Sequence, residues 1–254
     1  MKVHPQLNLT LAAFYGRKPS GLAHLLGGIQ AELIKELGVA YHPLEPGQVH
    51  ATIIGLEGRR TRTGVLNTNL ENTGIFPDAM DLDGLLSFFR KTPLLPLHVR
   101  IGGFRHAAGY PFTSRGQHPC MRSFAFQGSA AVVVGWPVMN GGYPMSLDRL
   151  RRQCMEYNVL HKYHQAADAI DNDLFLVLGH ADAIPESRGK IDVAQNRIRN
   201  LLSSLEPLDV LLDQETLSVV VYGERSLPIQ SSIVYTIDEA LHGIEELIAQ
   251  YGQV

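Results

Sequence analysis

One order of elements, strand–helix–strand–helix–strand, is written twice along this chain, and it limits the fold more than any other feature. The apolar run at 7–15 (LNLTLAAFY) reads as a buried strand, followed by the turn residues Gly16 and Pro19. Ser20 is placed to cap a helix running to about 37, with Leu22, Leu25, Leu26, Ile29, Leu33 and Ile34 as its apolar stripe. Gly38 stops it. A short strand at 49–55 (VHATIIG) and a polar stretch at 57–77 come next; Asp81 then starts a short helix carrying Leu82, Leu85, Leu86 and Phe89, and 97–104 is a strand.

The second half runs in the same way. It has a strand at 130–136, a helix from Ser146 to about 165, a strand at 173–179, a helix at 192–205 and a strand at 217–223. A last strand at 231–237 leads into a helix at 238–249. The halves share a pattern and no sequence identity. Such a pattern predicts an α/β (α+β) chain with two pseudo-symmetric antiparallel-sheet lobes, outer helices and a central groove. The expected organisation is one domain, 1–254, with half-repeats at about 1–104 and 125–254 joined by a loop at 105–124.

Composition narrows the partners. With 254 residues, 45% of them hydrophobic, the chain can build a sizeable core without disulfides or metals. A net charge of −3 gives no overall basic field for long nucleic acid, so a phosphate-bearing ligand must be held by a local site. Cys120 and Cys154 form no CxxC pair and read as free thiols in a reducing compartment. Residues 1–5 lack the charged-then-apolar run of a signal peptide, and no apolar stretch reaches the ~20 residues that span a bilayer. A cytoplasmic protein with no membrane partner is the expectation.

The most informative segment is His50-Ala51-Thr52-Ile53. Side chains alternate along a strand, so His50 and Thr52 share one face while Ala51 and Ile53 point the other way. Imidazole exchanges a proton near neutral pH, and a threonine hydroxyl can donate to a phosphate oxygen. That pair is half of what general acid–base cleavage of a phosphodiester requires.

HATI, after a turn and ahead of Gly55, resembles the first H-x-T-hydrophobic motif of the two-histidine (2H) phosphoesterases. These include the bacterial RNA 2′,3′-cyclic phosphodiesterases, also described as 2′-5′ RNA ligases. LNLTLAAFY, LHVRIGGF and VVVYGERSLPIQSSIVYTI resemble that family's opening, middle and closing strands. The resemblance implies a phosphodiesterase-like protein that binds or hydrolyses a small phosphorylated ligand: a nucleotide, a cyclic phosphate or an RNA 3′ end. His50 would transfer the proton and Thr52 would hold the phosphate.

The chain departs from the family at the second motif. By order and by the following glycine, Leu174 and Leu176 stand where the second His and Thr belong. In the family one histidine acts as base and the other as acid. His180, of the same parity as Leu174 and Leu176, is one replacement; Tyr222, Glu224 and Arg225 are others. The basic loop with Arg105, His106, Arg115, His118 and Arg122 can cover a phosphate groove, and Arg115 and Arg122 are its candidate ligand contacts.

Other motifs carry less. His161 and His164, three apart on the helix expected to reach 165, lack a carboxylate or cysteine to complete a metal set. Arg149, Arg151 and Arg152 read as a solvated helix face. The glycines fit neither G-x-G-x-x-G nor a P-loop, and no G-x-S-x-G elbow is present. Nothing in the sequence requires a cofactor. Two alternatives to the enzyme stay open: a noncatalytic nucleotide- or RNA-binding module that kept the fold, and an interaction protein in which His50 is simply buried and bonded.

Overall fold

Helices form where apolar residues recur at helical spacing, and strands where short apolar runs end in turn residues. The structure is a computed structural model in which residues 7–74, 77–182 and 188–252 are described; residues 1–5, read above for a signal, lie outside them. The first half holds β1 (Asn8–Ala13), α1 (Ser20–Leu37), β2 (Tyr41–Pro43), β3 (Ala51–Gly55), β4 (Gly58–Arg60), β5 (Val65–Asn67), α2 (Thr68–Glu71), α3 (Leu82–Lys91) and β6 (Leu97–Ile101). After the loop come α4 (Pro119–Arg122), β7 (Phe124–Gln127), β8 (Ala130–Val138), α5 (Ser146–Gln153), β9 (Leu174–Ala181) and α6 (Arg188–Ser204). The chain closes with β10 (Leu208–Leu212), β11 (Leu217–Tyr222), β12 (Ile233–Tyr235), α7 (Ile237–His242) and α8 (Ile244–Gln250).

The fold is α+β, with antiparallel sheets. One sheet has the order β12-β11-β1-β3 and the other β10-β6-β8-β9-β2, with β7 paired to β8 beside it. The sheets do not follow the halves. β11 and β12, from late in the chain, complete the sheet of β1 and β3, while β2 and β6 cross into the sheet of β8 and β9. One apolar cluster joins the helix-covered faces of both sheets. It includes Leu11, Ile53 and Val219 from the first sheet, Val133, Leu174 and Leu176 from the second, and Ile29, Phe89 and Ile198 from helices.

Local chemistry sets the boundaries. Leu22, Leu26, Ile29, Leu33 and Leu37 are the buried stripe of α1, and Ile34 is exposed instead. Ser20 is the first helical residue rather than the cap; Pro19 holds that position without a side-chain bond. At the other end Gly38 takes a φ of +58°, which a side chain would resist. Asp81 caps α3 by accepting from Gly84 N at 2.8 Å. The helix expected to reach 165 ends at Gln153 and tightens into a 3-10 turn, which Asn158 closes in the left-handed region at φ +59°. His161 and His164 therefore sit on irregular backbone. The run 238–249 is two short helices, the first opened by a Thr236–Glu239 capping box.

Two bulges set which side chains face which way. Along the β1–β3 ladder Leu11 pairs with Ile54 and Ala12 with Thr52, so Ile53 is the extra residue. Along β8–β9 Ala131 pairs with Gly179 and Val132 with Val177, so Leu178 is the extra residue. Matching the bulges puts Phe175 in the place of His50 and Val177 in the place of Thr52. Leu174 and Leu176 are fully buried on the helix-covered face. The register read from the following glycine is thus off by one residue, because the bulge in β9 lies one position nearer its glycine.

Candidate functional site

His50 stands at the entry to β3, and Thr52 follows on the same face. With Thr10 of β1 and Tyr222 of β11 they line a cavity of about 750 Å³ on the side of the sheet away from the helices. Its opposite wall is built from Gly58, Arg59, Thr68, Asn69, Glu71 and Asn72, and its ends carry Arg225, His161 and Lys162. That volume suits a small-molecule ligand.

The imidazole of His50 is fixed from behind. Its Nδ1 donates to Gln48 O at 2.7 Å, which leaves Nε2 as the basic nitrogen. Gln48 is itself held through Ser226 O at 2.5 Å, and Tyr15 meets the imidazole edge-on with ring centroids 5.6 Å apart. Burial pushes the His50 pKa below its ordinary value; the bond to Gln48 opposes that, and Lys18 adds to it. The unliganded imidazole is therefore neutral at pH 7. Burial also draws Lys18 down to about 8.

Around it the polar groups divide. Thr10 donates to Ile54 O at 3.2 Å, and Tyr222 OH donates to Glu57 Oε1 at 2.9 Å. Burial, first, and the neighbouring Glu57 hold that phenol far above its usual range, so Tyr222 stays protonated and serves Glu57. Arg59 pairs with Glu71. Neither Arg225 nor Lys162 is paired with a carboxylate among the described residues. Arg225, and Lys162 where it leaves its contact with the Tyr163 ring at 4.8 Å, remain for an anion at the mouth.

The sequence offers His161 only as a candidate metal ligand. It reaches the cavity because its segment is pinned to the opposite wall: Leu160 N donates to Asn67 Oδ1 at 3.2 Å and Asn69 Nδ2 to Leu160 O at 3.3 Å. Val159 and Leu160 are buried beside it. The His161 side chain is 3% exposed, its Nδ1 lies 3.5 Å from Asp171 Oδ2, and that nitrogen makes no well-formed hydrogen bond. The sequence signal was a histidine between a buried Val-Leu pair and a run of polar residues, which spacing rules for helices and strands do not weight.

Three other sequence candidates lie elsewhere. His180 is exposed near the end of β9, 3.3 Å from Ser129 Oγ and facing His42 across the β2–β9 ladder. The bulge at Leu178 puts it on the face of Phe175 and Val177, but at the far end of β9, where it does not line the His50 cavity. Arg122 is buried and donates to Asp173 Oδ2 at 3.2 Å. Arg115 stacks over Tyr163 and Phe175, at 4.5 and 5.0 Å, and lines a separate cavity of about 290 Å³.

The loop 105–122 covers the second sheet and leaves the His50 cavity open. Its Tyr110 and Phe112 join Phe104, Trp136 and Tyr143 in an aromatic cluster, with Phe104 and Trp136 edge-on at 4.8 Å. Apolar burial of those rings, rather than the loop's positive charge, decides where it lies. Asp173 ties it down by accepting from Ser114 Oγ, Trp136 Nε1 and Arg122 Nη2. Arg151 also departs from expectation. It is 2% exposed beneath the site and does not lie on a solvated face, whereas Arg149 does.

No family model, curated protein or solved structure matches the chain.

Proposed function

We propose that the cavity beside β3 is a phosphoester site, and that the protein hydrolyses a small phosphorylated ligand of the 2′,3′-cyclic nucleotide class. His50 is the proton-transfer group in this reading, and Thr52 donates to a non-bridging phosphate oxygen. One observation carries it: His50 and Thr52 share a cavity with Arg225 and Lys162, so a proton donor–acceptor and two cations without carboxylate partners converge on one space. A phosphate anion seated there offsets the desolvation of His50 and favours its imidazolium.

The test is turnover of a 2′,3′-cyclic nucleotide by the native chain and by His50→Ala. A loss of at least about 100-fold is expected from removing a general acid–base group. Turnover that is unchanged in the variant would take His50 out of the mechanism.

A binding-only reading has a specific observation behind it as well. Phe175 and Val177 occupy in the second sheet the places that His50 and Thr52 hold in the first, so that half of the pseudo-symmetric pair is apolar. Calorimetry with a nucleotide 2′-monophosphate run beside the turnover assay separates the two. Binding without turnover favours the module; His50-dependent turnover favours the enzyme.

A further inference from the structure

Cleaving a cyclic phosphate by acid–base chemistry moves two protons, one from the attacking water and one to the leaving oxygen. Strand β9, the counterpart of β3, offers only Phe175 and Val177 at the matching positions. The second proton group must then come from another element bordering the cavity.

We infer that His161, delivered by the irregular segment between α5 and β9, is that second catalytic group, with Asp171 as its positioning residue. The inference rests on the phosphoesterase reading above and names a residue which that reading leaves open. Three observations carry it. His161 borders the same cavity as His50. Its Nδ1 is buried without a hydrogen-bond partner 3.5 Å from Asp171 Oδ2, and Asp171 Oδ1, also without a hydrogen bond, faces only Arg115 Nη2 at 3.6 Å. Unsatisfied buried polar atoms are rare and costly, and a shift of a few tenths of an ångström lets Nδ1–H donate to Asp171. That bond fixes the tautomer and presents Nε2 as the base.

The segment is also tied mechanically to the His50 strand. Arg151 donates to Asp171 Oδ2 at 2.8 Å and to the carbonyls of Thr52 and Ile53, both at 3.0 Å. A displacement of β3 therefore carries Asp171 with it. The groups facing His161 are Arg151 from α5, Arg115 from the 105–122 loop, and Lys162, His164 and Asp171 from its own segment. Burial first, and then the cations among these, hold His161 neutral, as a base requires.

The step balances. Neutral His161 takes a proton from water as the water oxygen bonds to phosphorus. The bond from phosphorus to one ribose oxygen breaks, and the imidazolium of His50 gives that oxygen its proton. The product is a phosphomonoester, and proton exchange with solvent returns both imidazoles to their starting states.

The experiment compares native protein, His50→Ala, His161→Gln and His161→Asn on a 2′,3′-cyclic nucleotide, with adenosine 2′-monophosphate as the binding probe. For at least one of the folded His161 variants, kcat falls about 100-fold or more, affinity for the monophosphate stays within about threefold, and one limb of the pH–kcat profile disappears. In a further variant, His161→Ala, added imidazole restores part of the turnover, which a purely structural role would not allow. The inference is overturned if turnover depends on His50 while the His161 variants keep native kcat and a two-limbed profile; the phosphoesterase reading then survives. Turnover independent of His50, or none in the native protein, sinks that reading and this inference with it.

Discussion

Arg151 and Asp171 form a sealed ion pair, Nη1 to Oδ2 at 2.8 Å, with side chains 2% and 1% exposed. The guanidinium also donates to the carbonyls of Asp171 and Asp173, each at 3.0 Å, besides those of β3. One planar cation thus joins the strand bearing Thr52 to the segment bearing His161. An ammonium could not, since it lacks the fork that meets acceptors on several sides at once.

Arg151→Met is expected to cost about 3–5 kcal/mol, because it leaves the buried Asp171 with only the longer Arg115 contact. Arg151→Lys falls between the variant and the native chain. Urea unfolding measures both, and a loss below about 1 kcal/mol for Arg151→Met would show that the pair is not an anchor.

Thr52→Val keeps the shape of the side chain and removes its hydroxyl. A hydrogen bond to a charged oxygen contributes about 1.5–3 kcal/mol, so adenosine 2′-monophosphate should bind at least about tenfold more weakly. Melting temperature stays within a few degrees. Calorimetry returning native affinity would remove Thr52 from the phosphate site.

Acid should destabilise the fold through its buried histidines. His50, His161 and His164 all have pKa values depressed below 6.5, burial being the largest cause in each. In the unfolded chain these histidines bind protons at a higher pH than in the native state. Stability is therefore full above about pH 6.5 and falls as pH drops toward the native values, by up to about 1.4 kcal/mol per pH unit for each histidine. Urea unfolding at pH 7.5, 6.5 and 5.5 tests this, with His161→Gln expected to lessen the slope by up to one proton. Stability that is flat or rising on acidification would contradict it.

Asp173→Asn disrupts the bonds that hold the 105–122 loop, because the amide cannot accept from Ser114, Trp136 and Arg122 together. A loss of about 2–4 kcal/mol is expected from breaking a buried charged network. The chain's single tryptophan should report the change in its fluorescence. Because no residue of the loop lines the His50 cavity, affinity for the monophosphate should hold. A large loss of affinity without loss of stability would mean that the loop serves the site.

The helix stripes were largely legible: α1 ends at Leu37 where its spacing and Gly38 place it, and Asp81 caps the α3 helix that buries Leu82, Leu85, Leu86 and Phe89. What spacing could not show was tertiary. The strand Leu208–Leu212, after Pro207, went unread because five residues beside a stronger helical pattern give too short a period. The bulges at Ile53 and Leu178 carry no turn residue of their own, yet the second one decides that Phe175 and not Leu174 matches His50. For the site, the strand parity of His50 and Thr52 was enough to place them together. Arg115 and Arg122 were read by charge, whereas the rings of Phe175 and Tyr163 and the carboxylate of Asp173 claim them. His161 depends on contacts with Asn67 and Asn69, about ninety residues earlier, which no local window contains.

The pairing of β1 with β11 has a consequence for how the chain is made. Asn8 meets Tyr222 and Ala13 meets Leu217, so β1 waits for a strand synthesised much later before this ladder closes. Until then one edge of β1 is an open template for stray pairing, and closure across so many residues is slow. Cutting the chain in its middle loop would yield two pieces, each lacking strands that the other holds, and they should regain structure only when mixed.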